Sequence, residues 1–229
     1  SKNNTQRKVF APKPLLRLYK TVVHNMKETL RIIILSCLLI LNFSCSTKYS
    51  TTEEHNNFSK EQISDLNKLT DFFKNQICEN MNSDFKTCFS KILPDLLENG
   101  WQPILEKVDF EKQKELYNSI SKSTFNEIWE FGKETYPETG LELKSVVSKY
   151  NGKYQKYLTE LGKNNSEIKE YAERLIFSGD FESMALLQQR IYKNPSEFDL
   201  NNPNIQLLIA VHYLTQNDQQ KRTDKWESQ

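Results

Sequence analysis

Between Ser59 and Gln216 the apolar residues recur every three or four positions, the spacing of helices that bury one face and leave the other in water. Ile63, Leu66, Leu69, Phe73 and Ile77 form the first such stripe, opened by Ser59 and Gln62 at capping-box spacing. The pattern breaks at 80–83 and resumes with Phe85, Cys88, Phe89, Ile92, Leu93, Leu96 and Leu97, where Pro94 must kink or restart the helix because it removes a backbone donor. A short turn with Pro103 at its start carries Ile104 and Val108, and Asp109 is placed to cap the next helix, with Leu116 and Tyr117 on its buried side. A helix capped by Ser123 then carries Phe125, Ile128 and Trp129 to a stop near Gly132, and this cluster of aromatic residues reads as core.

After the turn Tyr136-Pro137-Glu138-Thr139-Gly140, the residues Leu143, Val146, Val147, Tyr150, Tyr154, Tyr157, Leu158 and Leu161 predict one helix of about twenty residues. Gly152 inside it marks a bend or a close crossing, and the tyrosine row reads as core with wet hydroxyls. Three further helices follow, the first ending at Gly179, the second capped by Asp180, and the last opened by Asn202-Pro203, a cap followed by proline at the first helical position. Glycines and prolines are few, which favours helices joined by short loops over a β-sandwich. The expected fold is therefore all-α: one irregular bundle of about eight helices over 59–216, with a polar C-terminal tail over 217–229.

Upstream, Met26 to Cys45 reads as an export signal: Lys27 and Arg31 make a basic start, Ile32 to Phe43 is uncharged and mostly apolar, and small Ser44 precedes Cys45. Twelve helical residues span only about 18 Å, short of the roughly 30 Å of a hydrocarbon core. Leu41-Asn42-Phe43-Ser44-Cys45 resembles the cleavage and lipidation site of bacterial lipoproteins with type II signal peptides, with Asn42 where the usual leucine stands and Leu41 one place further back. Ile34-Leu35-Ser36-Cys37 matches locally but leaves too short an apolar run before it. The resemblance implies cleavage between Ser44 and Cys45, acylation (palmitate among the acyl groups) of Cys45, and a bacterial envelope address, on the periplasmic face or the outer-membrane surface. On this reading residues 1–25 lie upstream of the signal, 26–44 are the signal peptide, and 45–58, rich in Ser, Thr and Asn, are a flexible tether.

Removing 1–44 changes the charge, leaving 23 basic against 29 acidic residues, a net charge near −6. Nucleic acid is an unsuitable partner, since its recognition needs clustered Lys and Arg. Cys78 and Cys88 remain as a pair, expected to bridge two antiparallel helices in an oxidising compartment, against the alternative that both are buried thiols. His55 and His212 belong to no metal-ligand spacing, and His212 reads as a surface or half-buried helix residue. Neither a nucleophile elbow nor a phosphate-binding loop occurs, so no catalytic, metal or cofactor-binding residue is assigned. Glu182-Ser183 with the following Ala-Leu-Leu-Gln distantly echoes two lytic transglycosylase motifs, but these run together here, and an acidic residue in a first helical turn is favoured by the dipole alone. The expectation is a non-catalytic, membrane-tethered module that binds an envelope protein or cell-wall ligand. The alternatives are an immunity-type lipoprotein that neutralises a toxin and, less in keeping with the residues, a peptidoglycan-active enzyme.

Overall fold

Most helices of this chain open on a short polar side chain that accepts from the first-turn backbone N–H groups, and each such cap fixes where a helix starts. The computed structural model describes residues 50–79 and 82–227. In chain order the elements are α1 (Thr52–Asn57), α2 (Lys60–Ile77), α3 (Phe85–Asn99), α4 (Gln102–Lys107), α5 (Phe110–Ser119), α6 (Lys122–Ile128), β1 (Trp129–Tyr136), β2 (Leu141–Ser148), α7 (Lys153–Leu161), α8 (Ser166–Ser178), α9 (Met184–Lys193) and α10 (Pro203–Lys221). Ser59 caps α2 with the expected reciprocal bond from Gln62, Asp109 caps α5, and Asn202 with Pro203 opens α10. Gly179 closes α8 at φ 75°, a left-handed conformation that glycine adopts without steric penalty. Pro94 lies inside α3, which runs from Phe85 to Asn99 without a restart.

The organising helix is α10, which is buried around its whole circumference over most of its length. It packs against α2, α4, α5, α9 and β2. Phe73 of α2 stacks on Tyr213 at 5.6 Å between ring centroids, and Phe89 of α3 lies 5.9 Å from the same ring. Polar residues of α10 are matched by its neighbours. Trp129 Nε1 donates to Thr215 Oγ1 at 2.7 Å, Asn217 donates to Gln113, and Tyr157 donates its hydroxyl proton to Asn204 Oδ1 at 2.9 Å. Cys78 at the end of α2 and Cys88 in α3 form a disulfide, with Cα atoms 5.0 Å apart, so these two helices are stapled at their shared end.

The molecule is mostly helical but not all-α, because β1 and β2 form a two-stranded antiparallel hairpin. It replaces the end of the helix expected to reach Gly132 and the first third of the long helix expected from Leu143. The physical reason lies in the turn: Pro137 to Gly140 is a four-residue loop, with Gly140 at φ 65° and its N–H bonded to Tyr136 O. Val146 and Val147 are β-branched residues that suit a pleated strand, and only the part of the stripe from Tyr154 onward, in α7, is helical. Gly152 is a close crossing rather than a helix-interior residue, since a Cβ there would meet Glu127 O at 2.4 Å.

Two expected flexible segments are structured within the described residues. The expected tether over 45–58 contains α1, which has its own capping box at Thr51 and Glu54 and packs on α7. The expected tail over 217–229 begins inside α10, where Asp218 is fully buried, and then runs beside β2 as an added edge. Lys144 N–H donates to Asp224 O at 2.8 Å and Trp226 N–H to Glu142 O at 2.9 Å. Ser44 and Cys45, and the whole signal segment, lie outside the described residues. No described helix is long and apolar enough to cross a membrane.

Candidate binding cleft

The cleft is built where α6 runs into β1 without an intervening loop. Asp65 of α2 fixes the start of α6, accepting from Ser121 N–H at 2.9 Å and Thr124 Oγ1 at 2.8 Å. Burial pushes the Asp65 carboxyl upward, but these bonds and Lys68 outweigh it and hold it below its ordinary range. At the other end of α6, Trp129 both caps the helix and begins β1, and its fully buried indole is tied to α10 through Thr215. The direction of β1 away from α6 is thus set from two sides.

The floor is a ladder of rings that climbs from core to surface. Tyr117, Phe125 and Trp129 form a triangle with centroids 5.2 to 5.4 Å apart. Phe125 stacks in turn on Phe131 at 5.8 Å, and Phe131 is 42% exposed. The cleft above them has a volume of about 490 Å³ and is edged by Lys114, Lys122 and Arg222, with Asn118, Asn126 and Glu130 between. Smaller hollows of about 290 Å³ beside the disulfide and about 110 Å³ between α2 and the start of α10 have more polar linings.

Arg222 is the most constrained of the cations. Its guanidinium lies 5.0 Å from the Phe131 ring and 5.6 Å from Phe110, and two of its nitrogens donate to the two oxygens of Asp218, both at 2.7 Å. Burial acts against the charge on Arg222, but the bonds it donates to Asp218 and Asp224, and their negative charge, raise its pKa overall. Burial likewise raises the Tyr117 hydroxyl, helped by the Asp218 charge, so this ring remains neutral. Glu130 is held low by Lys149. The arrangement is an aromatic surface whose fixed cation, Arg222, is already matched by Asp218 and Asp224, with unpaired Lys122 at its edge, suited to holding an apolar group and a nearby carboxylate.

Residues singled out in the sequence fall elsewhere. Cys78 and Cys88 are bonded to each other, and Cys88 borders the hollow beside α3. Glu182 is buried against Arg190, its carboxyl raised by burial, and it lines none of the three hollows. His212 is fully buried rather than half-buried, with Nδ1 3.0 Å from the Tyr171 hydroxyl. Tyr154 and Tyr157 are core, as their spacing implied, although the Tyr154 hydroxyl has no hydrogen-bond partner among the described residues and Tyr150 is largely exposed. Among the described residues no group of three or more His, Cys, Asp or Glu side chains converges to hold a metal ion.

The aromatic cluster expected to be core is divided: Trp129 is core, Phe125 is half-buried, and Phe131 faces the cleft. The signal for this was the alternation Trp129-Glu130-Phe131, which places two large rings on one face of a strand. Nothing in the local sequence links Lys114 or Lys122 to Arg222, which the fold brings from the far end of the chain. No family model, curated protein or solved structure matches this chain.

Proposed function

We propose that this chain is a lipid-anchored protein of the bacterial envelope that works by binding, and that the cleft between α5, α6 and β1 holds its partner. The observation that carries the binding half is the exposed ring of Phe131, continuous with Phe125, Tyr117 and Trp129 and edged by three cations. Arg222 is held by Asp218 and Asp224 and Lys114 pairs with Glu111 at 2.8 Å, which leaves Lys122 as the cleft cation without an ion pair among the described residues. Burying such a surface against a partner removes apolar area from water, and the unpaired Lys122 favours a partner with a carboxylate nearby.

The address rests on Leu41-Asn42-Phe43-Ser44-Cys45, with Cys45 as the acylated residue and the envelope as the compartment. The Cys78–Cys88 bridge supports that address, because structural disulfides persist in oxidising compartments and are rare in the cytosol.

A photoreactive amino acid placed at exposed Asn126 tests the binding half in intact bacteria, with the same group at exposed Lys169 of α8 as the comparison. The expected result is a defined cross-linked adduct from position 126 that is absent from position 169 and lost on Phe131→Ser. Equal labelling from both positions, or an adduct indifferent to Phe131→Ser, would remove the cleft from the account.

A further inference from the structure

The two strands of the hairpin differ in how their outer edges are treated. The register pairs Trp129 with Ser148 through Tyr136 with Leu141 without a bulge, and Ile128 O accepts from Lys149 N–H at 2.9 Å. In an antiparallel pair, residues alternate between bonding their partner strand and pointing away from it. The even-numbered residues of β1 therefore bond β2, and the N–H and C=O groups of Phe131, Lys133 and Thr135 point outward. The same alternation on β2 sends Glu142 and Lys144 outward, and both are bonded to the chain's own segment Asp224 to Trp226. No described residue does this for β1: the outward backbone groups of Phe131, Lys133 and Thr135 have no hydrogen-bond partner among the described residues.

An unpaired, regular edge is a template for another strand, and proteins ordinarily blunt one with a proline, a bulge, an edge lysine or a covering segment; the lysine on this edge, Lys133, is drawn across the hairpin to Glu142 at 2.7 Å. β1 has no proline and no bulge, and its edge starts at Phe131, the ring that lines the cleft. Strand addition and the cleft therefore share a residue. The cleft-side face of β1 and β2 carries Phe131, Lys133 and Thr135 with Lys144 and Glu142; Glu142 pairs with Lys133 at 2.7 Å, while the Lys144 ammonium lies 6.0 Å from the Phe131 ring. Lys122 and Lys144 make no ion pair among the described residues, and on the opposite face of β1 Glu134 makes none, while Glu130 is paired with Lys149 at 2.6 Å.

We infer that the partner held by the cleft is an extended peptide segment that adds to the free edge of β1, with an apolar or aromatic side chain on the Phe125–Phe131 floor and carboxylates on the same face. This rests on the cleft being the binding site. Backbone bonds to Phe131, Lys133 and Thr135 supply the pairing, and alternate side chains supply the selectivity. An added strand sends every second side chain to the cleft face, where the cations are, and the others to the acidic face, where carboxylates are excluded.

The probe is the peptide Ac-Thr-Asp-Thr-Phe-Thr-Asp-Thr-NH2, titrated into the isotope-labelled full chain and followed by backbone amide resonances. Two isomers accompany it, one N-methylated on the Asp and Phe residues and one on the three threonines that follow them. The expected result is saturable shifts at Phe131, Lys133 and Thr135, with one isomer binding at least tenfold more weakly than the other, because only one set of amides faces β1. Thr135→Pro, which removes an outward N–H at a residue whose side chain makes no bond to β2, weakens the unmodified peptide at least fivefold while circular dichroism is unchanged. If the two isomers bind alike while the shifts stay in the cleft, strand addition is wrong and the cleft reading stands. Absence of shifts at millimolar peptide overturns the inference, and the cross-linking result from position 126 then decides separately whether the cleft binds anything.

Discussion

His212 should make this protein lose stability as the pH falls from neutral into mild acid. The ring is fully buried in α10, among Tyr171, Phe181 and Tyr213, and burial alone lowers its pKa from the ordinary 6.5 to about 3. A histidine held neutral by the fold is protonated in the unfolded chain first, so the unfolded state binds more protons at any pH between the two values. Stability from this site is complete above about 6.5 and drains away as pH falls toward 3, at about 1.4 kcal/mol per pH unit. Between pH 7 and pH 5 the loss should reach about 2 kcal/mol. The carboxyls of Glu182, Asp180 and Asp218, all raised by burial, act in the opposite direction, so the site must be isolated by difference. The double variant His212→Leu with Tyr171→Phe removes both partners of the 3.0 Å contact and leaves neither polar atom stranded. Urea unfolding at the two pH values should then show a pH-dependent loss smaller by about 2 kcal/mol in the variant than in the parent. Equal pH dependence in both would mean that the ring is solvated or already charged in the folded state, and would refute the reasoning.

Other perturbations read other parts of the structure. Replacing Cys78 and Cys88 by alanine, or reducing the bridge, frees a loop closed across a sequence separation of 10 and should lower urea-unfolding stability by about 2.5 kcal/mol. Arg190→Met should cost about 3–5 kcal/mol in the same assay, since it strands the buried Glu182 carboxylate and releases Glu167 and Glu170; adding Glu182→Gln should recover more than half of that. Gly152→Ala should lower the melting temperature by the equivalent of about 1–3 kcal/mol, despite alanine's higher helix propensity, because the added Cβ meets Glu127 O.

Much of the helical framework was legible because caps and periodicity agreed. Ser59 with Gln62, Asp109, and Asn202 with Pro203 mark starts that the structure reproduces, and Gly179 marks a stop. Where two periodicities overlap, the sequence misled: Leu143, Val146, Val147 and Tyr150 continue a helical stripe into Tyr154, while the tight turn at Pro137–Gly140 and the paired valines select a hairpin. His212 was misjudged because α10 carries polar residues on every side, and its burial follows from five neighbouring elements rather than from its own pattern. The cleft was half legible. Its rings are near neighbours in the sequence, but Lys114 and Arg222 meet only through tertiary structure.

The proposed address decides most, since it sets the compartment in which the cleft would meet a partner. Intact mass of the protein from bacterial membrane and soluble fractions, with Cys45→Ala alongside, tests it. The account requires a membrane-bound species that begins at Cys45, carries added acyl mass, and disappears with the substitution. A membrane or soluble species that retains residues 1–44 and an unmodified Cys45 would contradict it.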